Sequence, residues 1–302
     1  MFFQIGVLDS ALDKCFKNYS NTELAKKSVI LGVITSVFLV VLKLIAWFIT
    51  DSISMRASMN DSILDALTSF LAYHAIRFSS VSFDKGHNYG HEKVEGLMAL
   101  FQSLLVIYSV AMIFVEAYEA FVDPKPILNS RVGIIVMIIS CCAVYQLVYF
   151  QKYVAQKAGS AIVKGDCLHY LSDFLVNICI ITSLMVATYF PYIDLLCGTT
   201  VGCYVLYSAY LILKSAIMDL MDEALSEEIQ VKIRDKIKSV DGVEEIKILK
   251  TRSAGMKKYV ESRVAVNGTV ALIQADMIAQ AIENEVREMF ENVDVIIKAE
   301  PC

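Results

Sequence analysis

The chain is built from long apolar runs separated by short polar breaks. Six stretches approach the roughly 20 apolar residues a helix needs to cross a hydrocarbon core about 30 Å thick. They are residues 28–50, 53–76, 94–121, 132–154, 161–190 and 193–218. The second and fifth are the least apolar, because both contain carboxylates. Asp123-Pro124-Lys125-Pro126 and Phe190-Pro191-Tyr192 break the pattern between runs, as proline-rich turns do. The first strong run begins near Ser28, behind Lys14, Lys17, Lys26 and Lys27, so no cleavable signal peptide is expected.

After residue 225 the pattern changes. Ser226 followed by Glu227 and Glu228 suits a helix start, with the hydroxyl as cap and the acids at the positive end of the dipole. Ile229, Ile233, Ile237 and Val240 then recur at helical spacing. Ile246 and Ile248 alternate with Lys247 and Leu249, which predicts a strand. Val260, Ser262, Val264 and Val266 predict a second strand, joined to the first across Ser253-Ala254-Gly255 and closed by Asn267-Gly268. A helix over about 270–290 and a strand over 293–298 complete an αββαβ order. The expected division is a cytoplasmic N-terminal segment (1–27), a six-helix membrane domain (28–218) and a soluble α+β domain (219–302).

Composition sharpens this division. Hydrophobic residues make up 56% of the 302 positions and charged residues only 20%, a charge-poor balance for a soluble chain. From Ser226 onward there are 12 Lys/Arg and 14 Asp/Glu, 26 of the chain's 59 charges. A disordered protein, a secreted disulfide scaffold and a basic nucleic-acid binder all fit poorly, the last because the net charge is −5. The eight cysteines form no CxxC pair, so no zinc-finger or redox motif follows. Lys14, Lys17, Lys26, Lys27, Arg77, Lys85, Lys93, Lys152, Lys157 and Lys164 lie on one side of the membrane, against Lys125 and Arg131 on the other. That bias puts both termini in the cytoplasm.

The chemistry lies in the two least apolar spans. Asp61 and Asp65 are four residues apart in the second, and His169 and Asp173 are four apart in the fifth. Each pair therefore shares a helix face. An ionised Asp at a span centre costs about 2.5–3.5 kcal/mol on insertion scales, so three cost about 7–10 kcal/mol unless compensated. Neither span offers a Lys or Arg at its middle. A bound cation would compensate them. Three carboxylates and one imidazole suit tetrahedral Zn²⁺ and tolerate Fe²⁺, Co²⁺ or Cd²⁺. No thiolate is present for Cu⁺, and the set is too small for a Ca²⁺ or Mg²⁺ cage. The alternative is that these residues only hydrogen-bond between helices. Because metal requires neutral His and ionised Asp, metal and proton compete for the set.

Asp84, His87 and His91 follow in the second loop and form a smaller candidate N/O set; a solvated loop with incidental histidines is the alternative. His74 reads as a structural or surface residue. Lys43 and Arg56 read as snorkelling to the outer surface. Glu116 and Glu119 read as interfacial, and Asn177 as either a ligand-orienting or an ordinary interhelical group.

These residues resemble the cation diffusion facilitator family, in particular its bacterial zinc and ferrous-iron efflux pumps. The resemblance runs over nearly the whole chain. It is carried by Asp61-Ser62-Ile63-Leu64-Asp65, Asp166-Cys167-Leu168-His169-Tyr170-Leu171-Ser172-Asp173, His87-Asn88-Tyr89-Gly90-His91-Glu92-Lys93-Val94-Glu95 and the closing Asp294-Val295-Ile296-Ile297…Pro301-Cys302. The resemblance implies a homodimer in the inner membrane that exchanges divalent metal for protons by alternating access, with no prosthetic group. It implies a transport site of Asp61, Asp65, His169 and Asp173, a loop site of Asp84, His87 and His91, and a charge interlock of Lys93 with Asp222. It implies a metallochaperone-like tail that dimerises and binds metal.

The tail departs from that pattern. No histidine follows His169, and the matching positions read Lys247, Arg263, Asp276, Lys298 and Glu300. Cations do not bind a cation, so the tail metal site is expected to be absent. Two other readings compete with a transporter. One is a membrane metal sensor. The other is an intramembrane metalloprotease, suggested by His91-Glu92-Lys93-Val94-Glu95, which has Glu where the HExxH motif needs its second His.

Overall fold

The fold is described from a computed structural model, covering residues 16, 19–50, 53–81, 84–122, 131–186 and 193–302. Lys14, Lys17, the 123–126 break and the 190–192 break lie outside the described residues, as do the side chains of Arg56, Glu116 and Glu119. The chain divides into two compact units, 1–216 and 217–302.

In the first unit six long helices follow one another: α1 (Asn21–Thr50), α2 (Ile53–Ser79), α3 (Val94–Val122), α4 (Arg131–Ala158), α5 (Ala161–Val186) and α6 (Ile193–Leu220). α1 starts earlier than its apolar run, because Ser20-Asn21-Thr22-Glu23 forms a reciprocal cap. The Glu23 N–H donates to Ser20 Oγ and the Ser20 N–H donates to Glu23 Oε2, both at 3.2 Å. This is a capping box, which satisfies two otherwise open N–H groups. α4 stops at Gly159, whose φ of +70° is the left-handed conformation that glycine adopts freely at a helix end.

Stretches long and apolar enough to cross a membrane occur over Asn21–Ile49, Val94–Met112, Ile135–Ala158 and Thr199–Leu220. The two long helices below that measure, among the described residues, are α2 and α5, which carry the ionisable residues. α1 leaves Ile34, Val37, Phe38, Val41, Ile45 and Phe48 exposed at helical spacing, an apolar stripe that water would disfavour and lipid would not. α5 has apolar cores on two sides. Leu39 of α1 and Val144, Leu147 and Val148 of α4 pack with its Tyr170. Val106 and Val110 of α3 and Val205 and Ala209 of α6 pack with its Leu168. The metal-ligand candidates of α5 thus sit on a helix flanked by two apolar cores.

The second unit has α7 (Glu227–Lys238), β1 (Glu245–Ala254), β2 (Lys257–Val266), α8 (Leu272–Arg287) and β3 (Val293–Pro301), the αββαβ order that periodicity predicts. The sheet order is β1-β2-β3. β1 pairs antiparallel with β2, and β2 pairs parallel with β3 across the α8 crossover. Ile233 and Ile237 of α7 and Ile282 and Val286 of α8 meet Val260, Val264 and Val295 of the sheet in one core.

Two local expectations are corrected. Ser226 precedes α7, but its side chain makes no cap bond; its carbonyl accepts from Ile229 and Gln230, and Gln230 Nε2 donates to the Leu225 carbonyl at 2.6 Å. β1 does not alternate through Ile246 and Ile248. The register shifts between them, so Lys247 is an extra residue and every later side chain changes face. Ile246 and Leu249 therefore both pack on the core while Ile248 is exposed.

Candidate metal centre

Helix geometry brings together three of the four residues expected at the transport site. Asp65 comes from α2, and His169 and Asp173 come from one face of α5. Their ligand atoms all lie within 4.8 Å of one another. His169 Nε2 is 3.0 Å from Asp65 Oδ1 and 3.8 Å from Asp173 Oδ2. His169 is buried and both carboxylates are partly exposed. The arrangement offers one nitrogen and two carboxylate oxygens to a single point, which is a transition-metal donor set. Asp61 lies one turn before Asp65 on α2, is exposed, and is not part of this three-residue cluster.

The rotation of α5 is held by polar contacts on the same helix. Asp166 and Gln151 are both fully buried, and Gln151 Nε2 donates to Asp166 Oδ2 across α4 and α5. Tyr170 OH pairs with Ser69 Oγ of α2 at 2.6 Å and donates to the Gly32 carbonyl of α1 at 3.3 Å. At Gly32 a Cβ would stand 3.0 Å from Asp166 Oδ2 and crowd that carboxyl. Polar groups buried this deeply are costly unless bonded, so the contacts specify one arrangement. Sequence reasoning misses Gln151; the signal that could find it is an amide inside an otherwise apolar run. Lys43, expected near the outer end of its span, donates from Nζ to the Ser58 carbonyl of α2 at 3.2 Å.

The loop set also assembles. The ligand atoms of Asp84, His87 and His91 lie within 4.8 Å of one another. Asp84 Oδ1 accepts from the Gly86 N–H at 2.8 Å and the His87 N–H at 2.7 Å. These backbone bonds, from Gly86 first and then His87, hold the Asp84 carboxyl below its ordinary range. Asp84 Oδ2 faces His91 Nε2 at 3.4 Å. His91 is buried with its ring 4.4 Å from both Phe78 and His87. Glu95, the fifth residue of the HExxH-like segment, accepts instead from the Ser79 and Ser160 hydroxyls, at 3.4 and 3.1 Å.

In the second unit the cationic positions surround Glu300. Its Oε1 is 3.0 Å from Lys298 Nζ and 3.9 Å from Arg263 Nη1, and its Oε2 is 4.0 Å from Lys247 Nζ. The hydrogen bond from Lys298 leads in holding the Glu300 carboxyl below its ordinary range. Asp276 lies apart on α8 and accepts from Gln280 Nε2 at 2.8 Å. Asp222, at φ +62° just past α6, accepts from Arg252 Nη1 at 2.8 Å. Lys93 directly precedes α3.

Residues 29–221 match the profile of the cation efflux transmembrane domain, and residues 225–302 match that of the cation efflux protein cytoplasmic domain. The chain is 34% identical over 285 residues to protein p34 of Rickettsia prowazekii, covering 94% of this chain and 95% of that protein. It is 32% identical over 286 residues to the cation-efflux pump FieF of Escherichia coli, again covering 94% and 95%. A solved structure of MamM CTD, a point variant in its nickel form, covers 26% of this chain and 99% of its own, at 22% identity and a TM-score of 0.25. Matched across both of its units, the chain belongs to the cation efflux, or cation diffusion facilitator, family of membrane transporters for divalent metal cations.

Proposed function

We propose that this protein exports a divalent transition metal, Zn²⁺ foremost and Fe²⁺, Cd²⁺ or Co²⁺ within the same donor chemistry, in exchange for protons. The observation that carries this reading is the convergence of Asp65, His169 and Asp173 from two helices onto one point. Nitrogen–oxygen donors of this kind hold Zn²⁺ well and Mn²⁺ less well. Metal needs His169 neutral and the carboxylates ionised, so a proton arriving at the set weakens the metal, which is the coupling an antiporter needs. Asp61, one turn away on the same helix, supplies the fourth oxygen when α2 moves. Asp84, His87 and His91 take a second ion at the cytoplasmic mouth.

The working unit is a homodimer in a bacterial inner membrane, both termini cytoplasmic, that alternates its access. The tail dimerises without metal, because Lys247, Arg263 and Lys298 already neutralise Glu300 as an ion would. Efflux as the direction accords with the relatives that carry the name cation-efflux pump.

The experiment is Zn²⁺ movement in proteoliposomes under an imposed pH gradient, wild type against Asp173→Ala. Gradient-driven movement that vanishes in the variant supports the antiporter. Zn²⁺ binding without movement overturns it in favour of a sensor or another cargo, with Fe²⁺, Cd²⁺ and Mn²⁺ tested next.

A further inference from the structure

Lys43 is a cation placed inside the membrane unit and bonded to the helix that carries Asp61 and Asp65. Its head group donates to the backbone carbonyl of Ser58 at 3.2 Å, tying α1 to α2. Ser58, Asp61 and Asp65 are spaced i, i+3 and i+7, so they share one stripe of α2. Lys43 is thus held at the end of the stripe that carries both acids. A lysine near a span end ordinarily runs outward to water. This one donates instead to a backbone carbonyl of the helix that carries Asp61 and Asp65.

Charge balance gives that placement a use. Asp61, Asp65 and Asp173 carry three negative charges beside a neutral imidazole. One divalent ion leaves a single negative charge uncompensated, and Lys43 cancels it. Uncompensated charge is expensive where water is scarce. We propose that Lys43 is a built-in counter-cation of the transport site, which neutralises its third carboxylate and keeps the divalent ion bound loosely enough to leave. The proposal rests on the transport-site reading above and deepens it. Without Lys43 the loaded site keeps a net negative charge, holds its ion more tightly and releases it more slowly.

The test uses the full-length protein in nanodiscs and proteoliposomes, with Zn²⁺ as the probe. Lys43→Met should lower the Zn²⁺ Kd about tenfold, and should lower KM and maximal rate together. Lys43→Arg, which keeps the charge, should stay within about twofold of wild type in both. A merely structural role would loosen the site and raise KM, so the direction of the KM change separates the two. Lys43→Gln gives the same readout if the Met variant does not fold. An unchanged or weaker Zn²⁺ affinity in folded Lys43→Met, with wild type still sensitive to Asp173→Ala, overturns the role of Lys43 alone. Zn²⁺ binding that is insensitive to Asp173→Ala overturns the transport site and this role with it.

Discussion

The two units treat carboxylates in opposite ways. In the membrane unit, Asp65 and Asp173 face an imidazole, and no Lys or Arg lies within 4.0 Å of either among the described residues. In the second unit, Glu300 has three cationic side chains within 4.0 Å. The first arrangement has no cation at ion-pair distance from Asp65 or Asp173 in a place where water is scarce, so a metal ion or a proton lowers its energy. The second is already satisfied and sits in solvent, where ion pairs contribute little. Donor atoms alone therefore do not make a metal site. What matters is whether the surrounding chain has supplied the positive charge already.

The largest effect is expected in the membrane. Asp65→Ala should reduce Zn²⁺ transport by at least about 100-fold, because it removes one of the converging ligands and a hydrogen-bond partner of His169. Glu300→Ala should leave transport within about twofold of wild type. Parallel flux assays on the two variants would break the comparison if they came out alike. A second effect belongs to folding. Ile282 is fully buried between α8 and the sheet, so Ile282→Ala should destabilise the second unit by about 3 kcal/mol, read as a shift of its unfolding midpoint. Because the membrane helices keep their own cores, Zn²⁺ affinity at the transport site should change little.

The smallest effect is a pH dependence that sharpens the contrast. The Glu300 carboxyl is depressed in the folded chain, by Lys298 first and by Arg263 and Lys247 after it. A depressed acid adds stability that is present above its unfolded value, near pH 4.3 for glutamate, and is lost as pH falls through the lower folded value. Urea midpoints of the second unit should therefore drop on acidification below about pH 4. Glu300→Gln should flatten that drop by a small amount, since the group is partly exposed and its ion pairs are screened by solvent. A midpoint equally steep in the variant would assign the dependence to other acids.

Much of this protein is legible along the chain. The six apolar runs, the switch at residue 225 and the αββαβ order follow from periodicities of 3.6 and 2, which are local properties of backbone geometry. The pairs Asp61/Asp65 and His169/Asp173 follow from the same helical period. The bulge at Lys247 is not legible, because an extra residue in a strand shows only against the register of its partner. The unused hydroxyl of Ser226 is not legible either, since two geometries for a helix start share one sequence signal.

By itself, then, the sequence determined which helices carry ionisable residues and which face of each presents them. Only the tertiary structure decided that Asp65 joins His169 while Asp61 stands apart, that Lys43 bonds the Ser58 carbonyl, and that Glu300 gathers three cations of its own chain. The physical reason is range. Spacing along one helix is set within a few residues, whereas a donor set and its charge balance depend on segments up to about a hundred residues apart meeting at one point.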